Sequence, residues 1–184
     1  QYYGSYNPTF TLSIRNTFTY KNWSLNIQLD HRNGGLVYSH TKDLLEYTGA
    51  ASNTLNINGS GDERQNEIVA NSVYKNYKGD YVENAKAASV QAYWSDRGIL
   101  SRNLLDATFT KLREVSLSYD LPKHLLKETP FGSASLGFAG RNLLMWTPKE
   151  NKFIDPETSS LGTGNAQGME FLSMPGLRTF TFYL

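Results

Sequence analysis

The residues of this chain that could carry out chemistry are few, and their spacing argues against catalysis. The three histidines, His31, His40 and His124, lack the spacing of a metal-ligand set, and the absence of cysteine removes thiol catalysis, Cys-ligated zinc and disulfides. No serine stands near a His/Asp arrangement typical of a nucleophilic triad. Gly162-Thr163-Gly164 neither follows a strand nor opens a helix, as a nucleotide-binding loop would. The sequence therefore predicts no enzyme, no catalytic residue and no cofactor.

One segment carries oxygen ligands at alternate positions, as a calcium-binding loop does. It runs from Asn56 to Glu67, and Glu67 holds the twelfth position, where such a loop places a bidentate glutamate. A calcium loop, however, contains more carboxylates than this segment does. We therefore interpret it as a polar turn and predict no metal site, with calcium at residues 56–67 as the alternative.

The composition is polar without being strongly charged. Charged residues make up 19% of the 184 residues and hydrophobic residues 39%, whereas aromatic residues reach 13%, including 12 tyrosines. Polar, uncharged chains that are rich in threonine and tyrosine are typical of β-structure. The formal net charge of +1 gives no reason to expect a nucleic-acid partner. These features favour an all-β protein.

Two segments near the start alternate between apolar and polar residues. Residues 9–20 and 23–32 place an apolar side chain at nearly every second position and are separated by the short turn Lys21-Asn22. This period predicts an antiparallel hairpin. Each arm is close to the roughly 9–11 residues of a tilted membrane-crossing strand, whereas globular strands have about 5–6. One face would then meet lipid and the other the interior of a barrel. The residues predicted to face that interior are Arg15, Gln28, Asp30 and Arg32.

Three further strands are predicted, and the connections between the five strands alternate in length. The additional strands are residues 109–119, 133–142 and 177–184. The connections, in order, are residues 21–22, 33–108, 120–132 and 143–176. Outer-membrane barrels have short periplasmic turns and long extracellular loops, so this order predicts an antiparallel transmembrane β-barrel in the outer membrane of a Gram-negative bacterium. The smallest known barrels have about eight strands, so we expect this chain to form only part of one.

The third predicted strand breaks its own alternation. The apolar face of residues 115–119 would, by strict alternation, direct Lys111 and Arg113 toward lipid. A cation at the middle of the bilayer costs about 2–4 kcal/mol. Either a β-bulge near Glu114 reverses the alternation and turns Leu112 outward, or both cations lie above the hydrocarbon layer. We favour the bulge.

The long connection 33–108 is rich in aromatic side chains. Aromatic faces stack on sugar rings or contact peptides, and loops often carry function, although packing within the loops is the competing interpretation. The candidate substrate-binding residues are Tyr74, Tyr77, Tyr81, Tyr93 and Trp94. The alanine-rich residues 84–94 predict a short helix.

Four motifs follow one another along the second half of the chain. They are FTKLREVSLSY at 109–119 with Leu121-Pro122, GRNLL at 140–144 with Trp146-Thr147, FIDPE at 153–157, and PGLRTFTF at 175–182. Together they resemble the SusC/RagA family of TonB-dependent outer-membrane transporters of Bacteroidota. The resemblance spans nearly the whole chain and is weakest from about Thr41 to Asp96.

The resemblance implies a 22-stranded barrel with an N-terminal plug. It also implies TonB-driven import of oligosaccharides or peptides, with a SusD-like surface lipoprotein over the extracellular face. We expect residues 1–184 to be the C-terminal part of one barrel domain, without the plug and the TonB-contacting segment. The predicted interior residues would line the solute path or, as we prefer, pair with the plug. The alternatives are a soluble carbohydrate-binding β-sandwich and an outer-membrane barrel enzyme.

Overall fold

The computed structural model describes residues 2–55, 67–96, 100–162, 164 and 166–184, and strands predominate in them. In chain order the strands and α-helices are β1 Phe10–Tyr20, β2 Trp23–Asn33, β3 Leu36–Ser39, α1 His40–Tyr47, β4 Glu67–Val69, β5 Val73–Lys75, β6 Tyr81–Glu83, β7 Ala87–Ser89, α2 Val90–Ser95, β8 Leu104–Asp106, β9 Phe109–Asp120, β10 Ser135–Trp146, β11 Met169–Glu170 and β12 Thr179–Tyr183. Short 3₁₀ turns lie at Ser52–Thr54, Leu100–Asn103 and Lys123–Leu125. Within these described ranges, no helix is long and apolar enough to cross a membrane.

The chain divides into two compact units. The wall unit consists of Gln1–Tyr38 and Leu105–Leu184, and the insert unit consists of Ser39–Leu104. The stretch that the sequence presents as one long connection between strands therefore has a fold of its own, with strands and two α-helices.

A five-stranded antiparallel sheet in the order β1-β2-β9-β10-β12 dominates the wall unit. The β1–β2 hairpin pairs Phe10 with Asn33 and Tyr20 with Trp23, so every residue keeps the face that the alternation predicts. The side-chain amide of Asn22 donates to the carbonyl of Asp120 at 2.7 Å. This bond ties the tight turn of the hairpin to the end of β9.

One face of this sheet is apolar and exposed. Phe10, Leu12, Ile14 and Phe18 of β1 are each about half exposed, and the apolar residues of the other four strands continue the same face. Soluble proteins rarely expose a continuous apolar surface of this kind, whereas the outer wall of a membrane barrel requires it. The exposure of these apolar side chains speaks against a β-sandwich, in which a second sheet would cover them.

The structure confirms the bulge that the charge pattern of the third strand predicts. Gln28 of β2 pairs with Glu114, but the next residue, Leu29, pairs with Leu112, so Arg113 is the extra residue in β9. The alternation reverses at this point. Leu112 therefore shares the apolar face with Leu29, and Lys111 lies on the polar face opposite Asp30.

The neighbouring strand β10 adapts to the same irregularity, and the predicted end of the fourth strand is wrong. Its register against β9 shifts between Arg141 and Leu144, and Asn142 adopts a left-handed backbone conformation with φ of +52°. The strand nevertheless resumes pairing and continues to Trp146, four residues beyond its predicted end at residue 142. It also begins at residue 135 rather than 133. The fifth strand is shorter than predicted and spans only Thr179–Tyr183.

A three-stranded sheet in the order β11-β3-β8 adjoins the wall unit's small apolar core. The core residues Val37, Leu105, Ala107 and Ile154 are buried, and Phe153 packs against them. Because Ile154 and Phe153 belong to the FIDPE motif, this core anchors that motif. We call residues 153–157 the strap.

The insert unit is built from short elements. Ser39 caps α1 by accepting a hydrogen bond from the backbone of Lys42 at 3.0 Å. Two antiparallel strand pairs form: β4 pairs with β7, and the hairpin of β5 and β6 lies between them in the sequence. The helix predicted within residues 84–94 is only partly right, because residues 87–89 pair as a strand and α2 begins at Val90.

Candidate functional site

The polar face of the five-stranded sheet collects all the residues predicted to face a barrel interior. The β1–β2 register places Arg15 opposite Gln28, and it places Asp30 and Arg32 on the same face two and four residues further along. The guanidinium of Arg32 donates to the carbonyls of Tyr6 and Gly34 at 2.5 and 3.4 Å. That this face lines the solute path remains a prediction.

Neutral polar side chains cover this face toward the β1–β2 turn. Thr17 donates to the amide oxygen of Asn26 at 2.5 Å, and the Asn26 amide donates to Ser116 at 3.4 Å. The hydroxyls of Thr19 and Ser24 lie 3.2 Å apart. These bonds satisfy the polar groups of neighbouring strands without placing a charge there.

Above these residues, toward the other end of the strands, lies a group of acidic and basic side chains that we call the charged cluster. Its members are Asp30, Lys111, Arg113, Asp155 and Glu157. Lys111 Nζ donates to both carboxylate oxygens of Asp155 at 2.8 Å and to Glu157 at 2.6 Å. Arg113 donates from Nε to Asp30 at 2.6 Å and from Nη1 and Nη2 to the two oxygens of Glu157 at 3.0 and 2.7 Å. Asp30 also accepts a hydrogen bond from Ser13.

The centre of the charged cluster is buried. Lys111 is 4% exposed and Asp155 is 7% exposed. Removing either residue would therefore leave a buried charge unpaired, which strongly destabilises a fold. Glu157 lies outside the strands. Burial raises its pKa, but hydrogen bonds from Arg113 and Lys111, together with their positive charges, outweigh burial and leave the pKa below the ordinary value of 4.5. Glu157 is therefore ionised at neutral pH.

The four sequence motifs meet at this cluster. Lys111 and Arg113 come from the first motif and Asp155 from the third. Asn142 of the second motif accepts from Arg113 at 3.4 Å and donates to the carbonyl of Leu177, in the fourth motif, at 3.1 Å. The motifs thus hold the strap against the bulged part of the sheet. The sequence alone does not predict that Lys111 and Arg113 pair with the acidic residues of the strap. The two cations, which contradict the alternation of β9, nevertheless indicate that acidic partners lie on the polar face.

A second group of charges lies one row nearer the turn, and we call it the arginine row. It consists of Arg15, Glu114 and Arg141. Nε of Arg141 donates to Glu114 at 3.0 Å, and Nη2 of Arg15 lies 4.0 Å from the other carboxylate oxygen. Both arginine side chains are 65% exposed, in contrast to the centre of the charged cluster.

The five predicted loop aromatics separate into two groups within the insert unit. Tyr74, Tyr77 and Tyr81 are exposed on the β5–β6 hairpin, with Tyr77 at its tip 93% exposed. Tyr93 and Trp94 instead pack edge to face at 5.1 Å, and the Arg102 guanidinium lies 4.6 Å from the Tyr93 ring centre. The second group therefore contributes to internal packing, whereas the first is available for contact.

A small cavity opens between α1 and α2 of the insert unit. It has a volume of about 170 Å³ and is lined by residues that include Tyr47, Thr54, Val90, Gln91 and Trp94. The indole Nε1 of Trp94 is buried and has no hydrogen-bond partner among the described residues. Trp94 therefore lines a concave surface, which the sequence alone does not predict.

The described residues contain no group of three or more His, Asp or Glu side chains placed to hold a metal ion. The segment considered for calcium, residues 56–67, lies outside the described residues except for Glu67. Thr163, in the middle of the Gly162-Thr163-Gly164 sequence, also lies outside them. Nδ1 of His31 lies 2.9 Å from the hydroxyl of Thr110, which gives this histidine a cross-strand partner.

Comparison with known proteins gives one curated relative and several solved structures. The chain is 27% identical over 188 residues to TonB-dependent receptor P3 of Formosa agariphila, covering 98% of this chain and 16% of that protein. The structure of the RagAB peptide importer in its closed-closed state matches 97% of this chain and 17% of that chain, with 19% identity and a TM-score of 0.54. A structure of the RagAB peptide transporter matches 89% of this chain and 15% of that chain, with 19% identity and a TM-score of 0.49. No family model matches.

These similarities confirm the resemblance to SusC/RagA-like TonB-dependent transporters, and the first structural match shows the barrel fold. The chain spans about a sixth of the length of the proteins it matches.

Proposed function

We propose, from the confirmed resemblance to TonB-dependent transporters, that this chain forms part of the barrel and of the extracellular surface of an outer-membrane importer. The observation that carries the proposal is the five-stranded sheet, which is apolar and exposed on one face and polar on the other. A lipid-facing wall around an aqueous interior needs this division. The relative named as a TonB-dependent receptor supports the same conclusion.

The two units would have different roles in such an importer. The wall unit spans the outer membrane, and the strap covers part of its inner face. The insert unit lies outside the cell and contacts the solute through the exposed tyrosines of the β5–β6 hairpin. Aromatic side chains of this kind suit both sugar rings and peptide side chains, so the solute classes are oligosaccharides and peptides.

The partners of the proposed importer follow from the same assignment. TonB would act through a segment that lies outside residues 1–184. A SusD-like surface lipoprotein would cover the extracellular side, and the apolar face would contact outer-membrane lipid. We propose no covalent chemistry for this chain. This agrees with the curated relative, which is named as a receptor, and with the structural match, which is named as an importer.

Electrophoresis and uptake test the proposal together. The full-length protein, expressed in the outer membrane, should migrate faster on a denaturing gel when unboiled than when boiled, because a closed barrel resists the detergent. Cells that carry it should take up an oligosaccharide or peptide mixture, and uptake should stop when TonB is deleted. A protein that is soluble without detergent and unchanged by boiling would contradict the barrel, and TonB-independent uptake would contradict the transport mechanism.

A further inference from the structure

The polar face carries two groups of charges that use their hydrogen-bond donors very differently. Arg113 directs all three of its guanidinium nitrogens to Asp30, Asn142 and Glu157. Arg141 uses one nitrogen, for Glu114, and Arg15 makes no hydrogen bond that the described part of the chain shows. A guanidinium has five N–H donors, so the arginine row leaves most of its donors unused.

The balance of charge differs in the same way. Two cations of the charged cluster, Lys111 and Arg113, face three carboxylates, so this group already has more acid than base. The arginine row has two cations and one carboxylate, Glu114, and so carries a surplus positive charge. The neighbouring Gln28 directs its amide to Asp30 at 3.3 Å and does not offset this surplus.

The arrangement of the two arginines fits one kind of ligand. They project from β1 and β10, on opposite sides of Glu114, and each lies against a different oxygen of that carboxylate. A planar guanidinium matches a carboxylate in a two-pronged geometry, and most donors of the two guanidiniums that flank Glu114 have no acceptor among the described residues. The next row toward the turn holds only neutral groups, Asn26 and Ser116, so it offers no competing charge.

We propose that Arg15 and Arg141 form a binding site for a carboxylate group on the inner wall. The carboxylate belongs either to an acidic solute in transit or to a segment of the same protein that fills the barrel. The inference rests on the proposed function, because it takes the polar face to line the interior.

Binding of two matched peptides to the full-length protein in detergent tests the site. The wild type should bind tetraglutamate at least about tenfold more tightly than tetraglutamine, and Arg15→Gln and Arg141→Gln should each remove this preference. Arg178→Gln is the matched control, because it removes the same charge from an exposed arginine outside the row and should leave the preference intact. This result would assign the carboxylate to the solute.

Thermal unfolding of the same proteins distinguishes the second source. If a segment of the protein supplies the carboxylate, neither peptide is preferred, and Arg15→Gln lowers the unfolding midpoint more than Arg178→Gln does. Arg15 is exposed and lies 4.0 Å from Glu114, so loss of this ion pair alone should lower the midpoint little, and a clearly larger drop indicates another acidic partner. The site is refuted if the peptides bind equally and Arg15→Gln has the same midpoint as Arg178→Gln. Failure of the wild type to show a heat-modifiable barrel band would instead refute the proposed function.

Discussion

The wall unit and the insert unit of this chain are stabilised in different ways. The wall unit has long strands whose few buried charges, Lys111 and Asp155 above all, are paired across 44 residues of sequence. The insert unit also buries an ion pair, Lys42 with Glu46, but these two residues are only four apart on one helix. Its strands have three residues each, and its β5–β6 hairpin displays tyrosines to solvent. A substitution in the first should therefore disturb folding, whereas one on the exposed surface of the second should disturb recognition.

The largest expected effect is the loss of stability when the buried lysine of the charged cluster is replaced. Lys111→Met leaves the buried carboxylate of Asp155 without its cation, which should lower the free energy of unfolding by about 3–5 kcal/mol. Urea titration of the full-length protein in lipid vesicles, followed by tryptophan fluorescence, measures this change. Lys75→Met, the same substitution on the exposed β5–β6 hairpin, should change it by less than about 0.5 kcal/mol. Equal effects at the two positions would remove the distinction between the units.

The second effect comes from a close contact within the sheet. A Cβ added at Gly137 would lie 2.0 Å from the Tyr183 ring of β12, whereas one added at Gly132 would meet no atom within 4 Å. Gly137→Ala should therefore destabilise the protein by about 1–3 kcal/mol, because the ring must move, and Gly132→Ala should not. The same urea titration compares the pair, and a harmless Gly137→Ala would show that the last strand is loosely held.

The third effect should appear in recognition alone. Tyr77→Ala and Tyr81→Ala remove exposed rings from the insert unit, and the loss of an aromatic contact should lower solute uptake about three- to tenfold. The amount of heat-modifiable protein in the membrane should not change. Tyr20→Ala, at a similarly exposed tyrosine of the wall unit, should leave uptake per folded molecule unaltered. Loss of folded protein in the Tyr77 variant would instead make the hairpin part of the structural framework.

The smallest expected effect is a dependence on pH of the stability that the strap contributes. Its Glu157 has a lowered pKa in the folded protein, so its ionised form contributes stability that is fully present above the ordinary pKa of 4.5 and is lost as pH falls through the folded value. The difference in unfolding free energy between the wild type and Glu157→Gln should therefore shrink as the pH is lowered below 4.5. A difference that is constant over this range would show that the carboxylate charge does not stabilise the strap.

Sequence reasoning succeeded where a residue's immediate neighbours determine its environment. The alternation of β1 and β2 was visible because both arms are long, and the bulge was visible because Lys111 and Arg113 contradicted the alternation of their own strand. The continuation of β10 was not visible, because the left-handed Asn142 interrupts the pattern at that point.

Contacts between distant segments lay beyond the sequence. Glu157 is 44 residues from Arg113, and no local pattern indicates that the two should pair. The insert unit was also hidden, because strands of three residues such as β5 and β6 are too short to show a period. The division of its aromatic residues into the exposed tyrosines of the β5–β6 hairpin and the packed Tyr93–Trp94 pair is apparent only in the folded chain.

The single extra residue of β9 limits which changes in length this strand can accept. Because Arg113 reverses the alternation, removing one residue there would return Lys111 to the lipid side and carry Leu112 inward, away from Leu29. Removing or adding two residues would preserve the phase of both halves and alter only the height of the strand. Evolutionary changes of length in this wall are thus expected in even steps. Loops such as residues 126–133 have no such phase to keep and can vary by any number.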